Sequence, residues 1–230
     1  MTEGSTSKIF GFLTLKILII ICAVVAVVVV GAVIVISGWS GSGGGDGSFD
    51  YGQNYIDNNL PDSYRIVFSI TAYDSNEVIS LPLEQIRTLN GYYFDTGVGD
   101  GLLFIKNGTI YDLYVLGSDG VYENSGVNFE QSYVENIMSD LWGYMTNYVA
   151  YQKSMMKVGS ETVAGRACDK YSLTYTQPLY GSVTYSCSID KATGVCLKWT
   201  CDAQASGEKG GYEFVCTNFS TSGISLPTYK

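Results

Sequence analysis

Histidine is absent from all 230 residues of the sequence. This absence excludes Ser-His and Cys-His nucleophile pairs, zinc sites with imidazole ligands, and acid–base catalysis by imidazole. Basic residues are also scarce, because 13 Lys and Arg stand against 22 Asp and Glu, for a formal net charge of −9. Binding to phosphate groups needs a cationic surface, so we expect no nucleic-acid partner and no docking of the folded part on anionic headgroups.

Charge is missing altogether from residues 17–36. A helix of about 20 apolar residues spans about 30 Å, the thickness of the hydrocarbon core of a bilayer. We therefore predict a transmembrane helix at residues 17–38. Lys8 and Lys16 precede it, and no Lys or Arg follows it before Arg65. This asymmetry predicts a cell-membrane protein with a cytoplasmic tail at residues 1–16 and an extracytoplasmic C-terminal part.

Two other readings of the N-terminal segment are weaker. A cleaved signal peptide would have a shorter apolar region, and its best cleavage site here, at residues 36–38, is poor. A lipid-modified Cys22 is disfavoured because three isoleucines precede it. The Gly/Ser-rich composition of the following residues predicts a flexible linker at residues 39–60.

From residue 61 to residue 230 we predict one mainly β (α+β) domain of antiparallel strands. Two Asn-Gly pairs, at residues 90–91 and 107–108, separate short apolar runs, and Asn-Gly is typical of type I′ hairpin turns. Four later segments alternate apolar and polar residues, as half-buried strands do: residues 167–176, 183–190, 195–203 and 212–219.

Alternation in these four strands sorts their side chains onto two faces. The polar face receives Lys170, Ser172, Thr174, Thr184, Ser186, Lys198 and Asp202. The apolar face receives Tyr171, Leu173, Tyr185, Leu197, Trp199 and Phe214. The contrast between the two faces fixes the register, because a slip by one residue would exchange them.

One segment has helical spacing instead of alternation. Between Asn128 and Tyr151 apolar residues recur every three or four positions, with Asn128 as the expected N-cap. The stripe includes Ile137, Leu141 and Met145. Such a stripe is most typical of core packing, but its methionine and aromatic content also suits a cover over an apolar ligand.

Five cysteines lie beyond the predicted transmembrane helix, where disulfides are permitted. A turn centred between residues 208 and 209 would place Cys201 opposite Cys216, so we predict a disulfide between these two. Cys168 is the candidate for a second bridge, with either Cys187 or Cys196, and the alternation does not choose between them. Parity leaves one thiol unpaired.

Other motifs are few. Asn107 and Asn218 each begin an N-x-Ser/Thr sequon, so both are candidates for glycosylation. The cysteine spacing contains no Cys-x-x-Cys pair, and the acidic loop at residues 95–101 lacks the distal Glu of a calcium loop. We therefore predict no metal site and no cofactor. No motif brings two carboxylates together for acid–base work, and we expect no enzyme.

Two segments carry a family resemblance: residues 159–171, GSETVAGRACDKY, and residues 189–198, IDKATGVCLK. With the Leu226-Pro227 pair they resemble the LolA/LppX-like lipoprotein-carrier and lipid-binding superfamily, over roughly residues 60–228. The resemblance implies a curved antiparallel half-barrel whose helices close over an apolar cavity for acyl chains, with turns at Gly165 and Gly194. The chain departs from the pattern at Val195-Cys196, where the family has Leu-Pro, and it has no counterpart of the arginine that holds cargo.

These observations lead to one hypothesis and one alternative. The hypothesis is a single-pass membrane protein whose outer half-barrel has one long helix on its concave face and binds a lipid or other apolar molecule without catalysis. The cavity would be lined by the six apolar-face residues named above together with Ile137, Leu141 and Met145. The alternative is a structural or cell-surface interaction module with a fully packed interior. The sequence does not name a protein partner.

Overall fold

The structure is a computed structural model. It describes residues 51, 53–73, 78–95, 97, 101–135, 155–177, 181–205 and 208–230. The predicted tail (1–16) and transmembrane helix (17–38), and most of the predicted linker (39–60), lie outside these residues. Within the described part of the chain, no helix has the length and apolar character needed to cross a bilayer.

A short helix precedes a single antiparallel sheet in the described part of the chain. The sheet has eleven strands in the order β6-β5-β4-β3-β2-β1-β11-β10-β9-β8-β7. The sheet is open but curved, because β7 contacts β11 although three strands lie between them. The elements are α1 (Gln53–Asn59), β1 (Tyr64–Tyr73), β2 (Val78–Thr88), β3 (Gly91–Asp95), β4 (Leu102–Asn107), β5 (Ile110–Leu116), β6 (Tyr122–Glu130), β7 (Met156–Val163), β8 (Arg166–Gln177), β9 (Gly181–Asp190), β10 (Cys196–Ala205) and β11 (Glu208–Ser220).

The two ends of the domain meet in the middle of the sheet. Strands β1 to β6 form one antiparallel meander and β7 to β11 form a second. The first strand, β1, pairs along its length with the last strand, β11. This non-local pairing joins the two meanders into one sheet, so the mainly β, antiparallel prediction is confirmed.

Both predicted Asn-Gly hairpins are present, each with its turn displaced by one residue. Thr88 pairs with Gly91 in the first hairpin, so the turn residues are Leu89 and Asn90. Asn107 pairs with Ile110 in the second, which makes Gly108 the first turn residue, and its φ of 63° is the conformation that a type II′ turn requires there.

The turns implied by the family resemblance fall where expected. Gly165 and Gly194 both have positive φ, at 75° and 77°. Beside Gly194, the Asp190 carboxylate accepts hydrogen bonds from the backbone N–H and hydroxyl of Thr193 and from the Arg166 guanidinium. A side chain at Gly194 would also collide with Tyr55 of α1, 2.8 Å from the added carbon. Asp190, Thr193 and Gly194 therefore have a structural role: they close the turn between β9 and β10 and leave room for α1.

The long helix predicted from residue 128 begins later than expected. Asn128 pairs with Asp112 inside β6, so its prediction as an N-cap is wrong. Helical residues start at Gln131, and residues 131–135 are described. Phe129, at the end of β6, stacks on Tyr133 with ring centroids 5.6 Å apart, which explains why the apolar spacing continues smoothly from strand into helix.

The buried side chains of the described residues form four clusters. One is centred on Tyr64, Ile66, Phe68 and Phe219 and a second on Trp199 and Tyr171. Two further clusters lie on β2 to β6, and the segment after β11 covers one of them with Ile224 and Leu226. A bridge between Tyr122 and Tyr229 holds that segment beside β6. The first meander has no face that consists of polar residues, so the sheet buries apolar residues on both faces there.

Candidate ligand-binding face

Two continuous rows of side chains cross six neighbouring strands on one face of the sheet. Register pairs each residue in a row with the next. The first row is Leu81, Ile70, Phe214, Trp199, Cys187 and Tyr171, and the second is Ile79, Ala72, Tyr212, Cys201, Tyr185 and Leu173. Strands lie about 4.8 Å apart, so each row is about 24 Å long. We call this surface the apolar face.

Burial is high at the β8 end of the two rows and low at the β2 end. Tyr171 and Trp199 are 2% and 1% exposed, and Phe214 is half-buried. Leu81 is 44% exposed and Ile79 is 53% exposed. The β8 end of the apolar face is therefore packed core, while its β2 end presents large apolar side chains to solvent. Exposed neighbours of this kind are characteristic of binding surfaces.

The packed end is covered by residues that precede β1 and β7 in the sequence. Tyr51, Tyr55 of α1 and Met155 pack against Tyr171 and Trp199. Aromatic rings continue the packing toward the open end, with centroid distances of 5.8 Å for Tyr185–Trp199 and 5.9 Å for Tyr212–Phe214. Such edge and tilted ring contacts add to the stabilisation from burial.

Five of the six predicted strand residues of the cavity share this face: Tyr171, Leu173, Tyr185, Trp199 and Phe214. Leu197 does not join them. The pairing of β9 with β10 shifts between Cys196 and Lys198, and Leu197, at this bulge, belongs instead to the buried cluster that contains Val195 and Phe68. The predicted helical lining residues, Ile137, Leu141 and Met145, lie outside the described residues.

A buried carboxylate sits at the closed end of the apolar face. Asp169, in β8, is 5% exposed and accepts a hydrogen bond from the Tyr51 hydroxyl at 2.9 Å. Its oxygens also lie 2.7 Å from Lys157 Nζ and 2.9 Å from Lys191 Nζ, and Ser160 Oγ donates at 3.1 Å. The charge is thus fully paired, and it attaches Tyr51 to β8.

The partners of Asp169 control its ionisation. Burial alone would raise the pKa of the carboxyl group, but hydrogen bonds from Lys157, Lys191, Tyr51 and Ser160 outweigh burial and hold the pKa well below its ordinary value. Burial, together with the hydrogen bond to Asp169, raises the pKa of Tyr51. Asp169 is therefore ionised throughout the physiological range.

Asp169 was not predicted as a site residue, although the sequence carries a signal for it. In β8 the odd-numbered residues 171 and 173 face the apolar side, and alternation places residue 169 there too. An acidic residue at a position where the alternation predicts an apolar one has two explanations. Either the predicted pairing of the strand is wrong, or the residue forms a buried ion pair. The register is correct, so the ion pair was the inference to draw.

The predicted disulfide between Cys201 and Cys216 is wrong. Strand pairing starts at Ala205 and Glu208, closer to β10 than expected, and this places Cys201 opposite Tyr212. Cys216 is four residues further along, about 13 Å away, whereas a disulfide needs Cα atoms within about 7 Å. All five described cysteines are free thiols.

Neither alternative for the second disulfide is formed. Cys187 lies opposite Tyr171, three residues from the position opposite Cys168. Cys196 pairs with β9 on one side while Cys168 pairs with it on the other, so a full strand separates them. Both arrangements exceed the reach of a disulfide.

Both candidate glycosylation sites are exposed. Asn107 ends β4 and donates a hydrogen bond to Asp112, while Asn218 lies in β11 and accepts one from Ser220 of its own sequon. Glycosylation of these residues stays a prediction.

Comparisons with known proteins find similarity in structure alone. No protein-family model and no curated protein matches the sequence. Among solved structures, the chain is similar to MucB in the Pseudomonas aeruginosa MucA/MucB complex (TM-score 0.39, 13% identity, 75% of this chain and 56% of that chain). It is similar to the lipoprotein LppX of Mycobacterium tuberculosis (0.34, 10%, 75% and 94%) and to a LolA superfamily protein of Nitrosomonas europaea (0.25, 12%, 76% and 94%).

These structures include the superfamily that the sequence resembles. The chain spans 56–62% of the two MucB chains that head the comparison. The TM-scores are 0.40 and below, so the function of the chain has to be argued from the residues themselves.

The Asp169→Asn substitution tests the buried carboxylate. It removes the charge that pairs with two lysines, and we expect it to lower the free energy of unfolding by roughly 1–3 kcal/mol at neutral pH, in a denaturant titration. Because the folded pKa of Asp169 lies below the unfolded value of about 3.9, its stabilisation is present above about pH 4 and is lost as the pH falls further. The variant should therefore lose less stability than the parent below pH 4.

The control for this substitution is Asp119→Asn. Asp119 pairs with Lys230 at 2.7 Å, but both side chains are at least half exposed, so the loss of this pair should lower the stability much less than the loss of the Asp169 charge. Equal losses for the two variants would contradict the role given to Asp169.

The free thiols give a second prediction. Burial raises the pKa of Cys168 and Cys201 to about 11 and that of Cys196 and Cys216 to about 12, and it also raises the pKa of Cys187. Because the thiolate is the reactive form, we expect no alkylation of these five residues by iodoacetamide at neutral pH in the native protein, and complete alkylation after unfolding without reductant.

Intact-mass measurement on a Cys22→Ala variant makes the count unambiguous. A denatured, unreduced sample that accepts only three alkyl groups would reveal one disulfide and contradict the observed register.

Proposed function

We propose that the chain is a membrane-anchored, extracytoplasmic domain that binds a lipid or another apolar molecule and performs no catalysis. Residues 17–38 would be the anchor, with the N-terminus in the cytoplasm. The ligand would lie along the open end of the apolar face, on β2, β1 and β11. The observation that carries this proposal is the gradient of burial along the two rows, which leaves Leu81 and Ile79 exposed beside half-buried Phe214 and Tyr212.

The chemistry of the open end suits a hydrocarbon chain. Leu81 pairs with Ile70, and Ile70 pairs with Phe214, so three apolar side chains stand side by side with no charged residue in their row. Each methylene group buried there contributes about 0.8 kcal/mol before ordering costs. A ligand of several methylene groups would therefore bind without any specific polar contact.

One observation favours the alternative function, a structural or interaction module. Tyr171, Leu173 and Trp199, three of the expected lining residues, are fully packed against Tyr51 and Met155. This part of the face offers no room for a ligand. The proposal therefore places the ligand at the β2 end, away from the residues that were first expected to line the cavity.

The Leu81→Glu substitution tests the ligand. A carboxylate on the open end of the apolar face must be desolvated when an acyl chain binds, so we expect at least a tenfold weaker uptake of a fluorescent fatty acid, which corresponds to about 1.4 kcal/mol. Uptake is titrated with the full chain in detergent micelles. Native mass spectrometry of the parent protein from cells should show bound lipid.

The matched control is Leu89→Glu. Leu89 is 71% exposed in the turn between β2 and β3, away from the two rows, so uptake should be unchanged. A parent protein that takes up no fatty acid and carries no lipid would favour the packed module. Equal losses in both variants would argue against the open end as the site.

The membrane topology has its own test. With tags at both ends of the chain, protease added to intact cells should remove the C-terminal tag and spare the N-terminal one, since only the outer domain would be accessible. Permeabilised cells, in which both tags should be lost, serve as the control. Protection of the C-terminal tag in intact cells would refute the proposed orientation.

A further inference from the structure

On the opposite face of the sheet a polar cleft of about 270 Å³ lies over β8 to β11. Its lining contains no apolar side chain apart from the ring of a tyrosine: Tyr73, Glu161, Lys170, Ser186, Ser188, Lys198, Thr200, Asp202 and Glu213. Register explains the composition, since Lys170 pairs with Ser188, Ser188 pairs with Lys198, and Ser186 pairs with Thr200. This is the face opposite to the two apolar rows.

Two side chains reach in from neighbouring strands and form the walls. Glu161, in β7, extends past β8 and accepts a hydrogen bond from the Ser188 hydroxyl. Tyr73, in β1, extends past β11 and donates a hydrogen bond to Asp202. Gly211, which lies between Tyr73 and Asp202 in the register, allows the second contact, because an added carbon there would be 2.8 Å from the Tyr73 hydroxyl.

The charged side chains of the cleft differ in whether they have a hydrogen-bond or ion-pair partner. The carboxylates of Glu161 and Asp202 accept the hydrogen bonds just described, and Glu213 pairs with Lys198 at 3.2 Å. Lys170 is different, because among the described residues none forms a hydrogen bond or ion pair with its ammonium group. Lys170 is nevertheless half-buried, between Ser188 and Gly159 in the pairing of strands.

An ammonium group that has no protein partner is available for a charge-assisted hydrogen bond to an incoming anion. Lys198 lies on the same row, two strands from Lys170, and adds positive charge on the other side of Ser188. Gly159, the neighbour of Lys170 on β7, has open space where a side chain would be, so no side chain on β7 covers Lys170 at this position. The cleft holds two lysines and three carboxylates, and Lys170 is the charged side chain that has no hydrogen bond or ion pair within the described part of the chain.

We propose that this cleft binds a small, soluble polar molecule through an anionic group, a carboxylate or a phosphate, held by Lys170. The hydroxyl groups of Ser186 and Thr200 and the carboxylates of Asp202 and Glu161 line the rest of the cleft and suit a hydroxylated ligand. No apolar surface adjoins Lys170 in the cleft, so the ligand is a soluble molecule and not a lipid. This site is independent of the apolar face.

The experiment uses the full chain in detergent micelles, with inorganic phosphate and glucose 6-phosphate as probes and sodium chloride holding the ionic strength constant. Binding is measured by calorimetry. We expect one site for at least one probe, with glucose 6-phosphate binding more tightly than phosphate. Glucose, which lacks the anionic group, should bind at least tenfold more weakly than glucose 6-phosphate.

Substitutions locate the site. Lys170→Met keeps the length of the side chain and removes its charge, so it should raise the dissociation constant at least tenfold. Lys170→Arg should restore most of the affinity. Lys106→Met, which removes an exposed charge in β4, is the matched control and should bind like the parent.

Two results would overturn the proposal. One is the absence of binding for both anions at millimolar concentration in a protein that unfolds cooperatively. The other is an equal effect of Lys170→Met and Lys106→Met, which would show general charge attraction. If Lys170→Met does not fold, Lys170→Gln replaces it, and the arginine variant still tests whether charge at this position is required.

Discussion

The register of β8 to β11 and β1 is the constraint on which the rest of the structure depends. Successive residues of a strand point to opposite faces, so one choice of pairing decides the position of every side chain. With the observed choice, Trp199, Phe214 and Tyr171 share one face, and Lys170, Lys198 and Glu213 share the other. A shift by one residue in any of these strands would bury lysines and expose aromatic rings, so burial itself maintains the register.

Much of this arrangement is predictable from the sequence because it depends on local patterns. The alternation in β8 to β11 is regular over most of each strand, and it correctly separates the apolar from the polar residues. The Asn-Gly pairs correctly locate two hairpins, although each turn lies one residue away from the predicted position. The positions of Gly165 and Gly194 followed from the family resemblance and agree with their positive φ.

The parts that could not be predicted depend on irregular or distant contacts. The bulge beside Leu197 interrupts the alternation of β10, and nothing in a single sequence marks a bulge. The pairing of β10 with β11 extends to Ala205 and Glu208, which is further than the composition of this segment suggests, and this places Cys201 away from Cys216. Strand β6 is polar and contains Gly126, so it shows no alternation to detect. The gradient of exposure along the apolar face depends on Tyr51 and Met155, which reach it from distant parts of the chain.

The contact between Tyr51 and Asp169 has a mechanical consequence. Tyr51 is where the described domain begins, and its ring and hydroxyl are both fixed to β8, near the outer edge of the sheet. A pulling force on the preceding residues would therefore reach β8 through one buried carboxylate before it could load β1, the strand nearest in sequence. Because β8 is hydrogen-bonded to two neighbouring strands, such a force would be distributed across the sheet. The central pairing of β1 with β11 would then carry less of the tension.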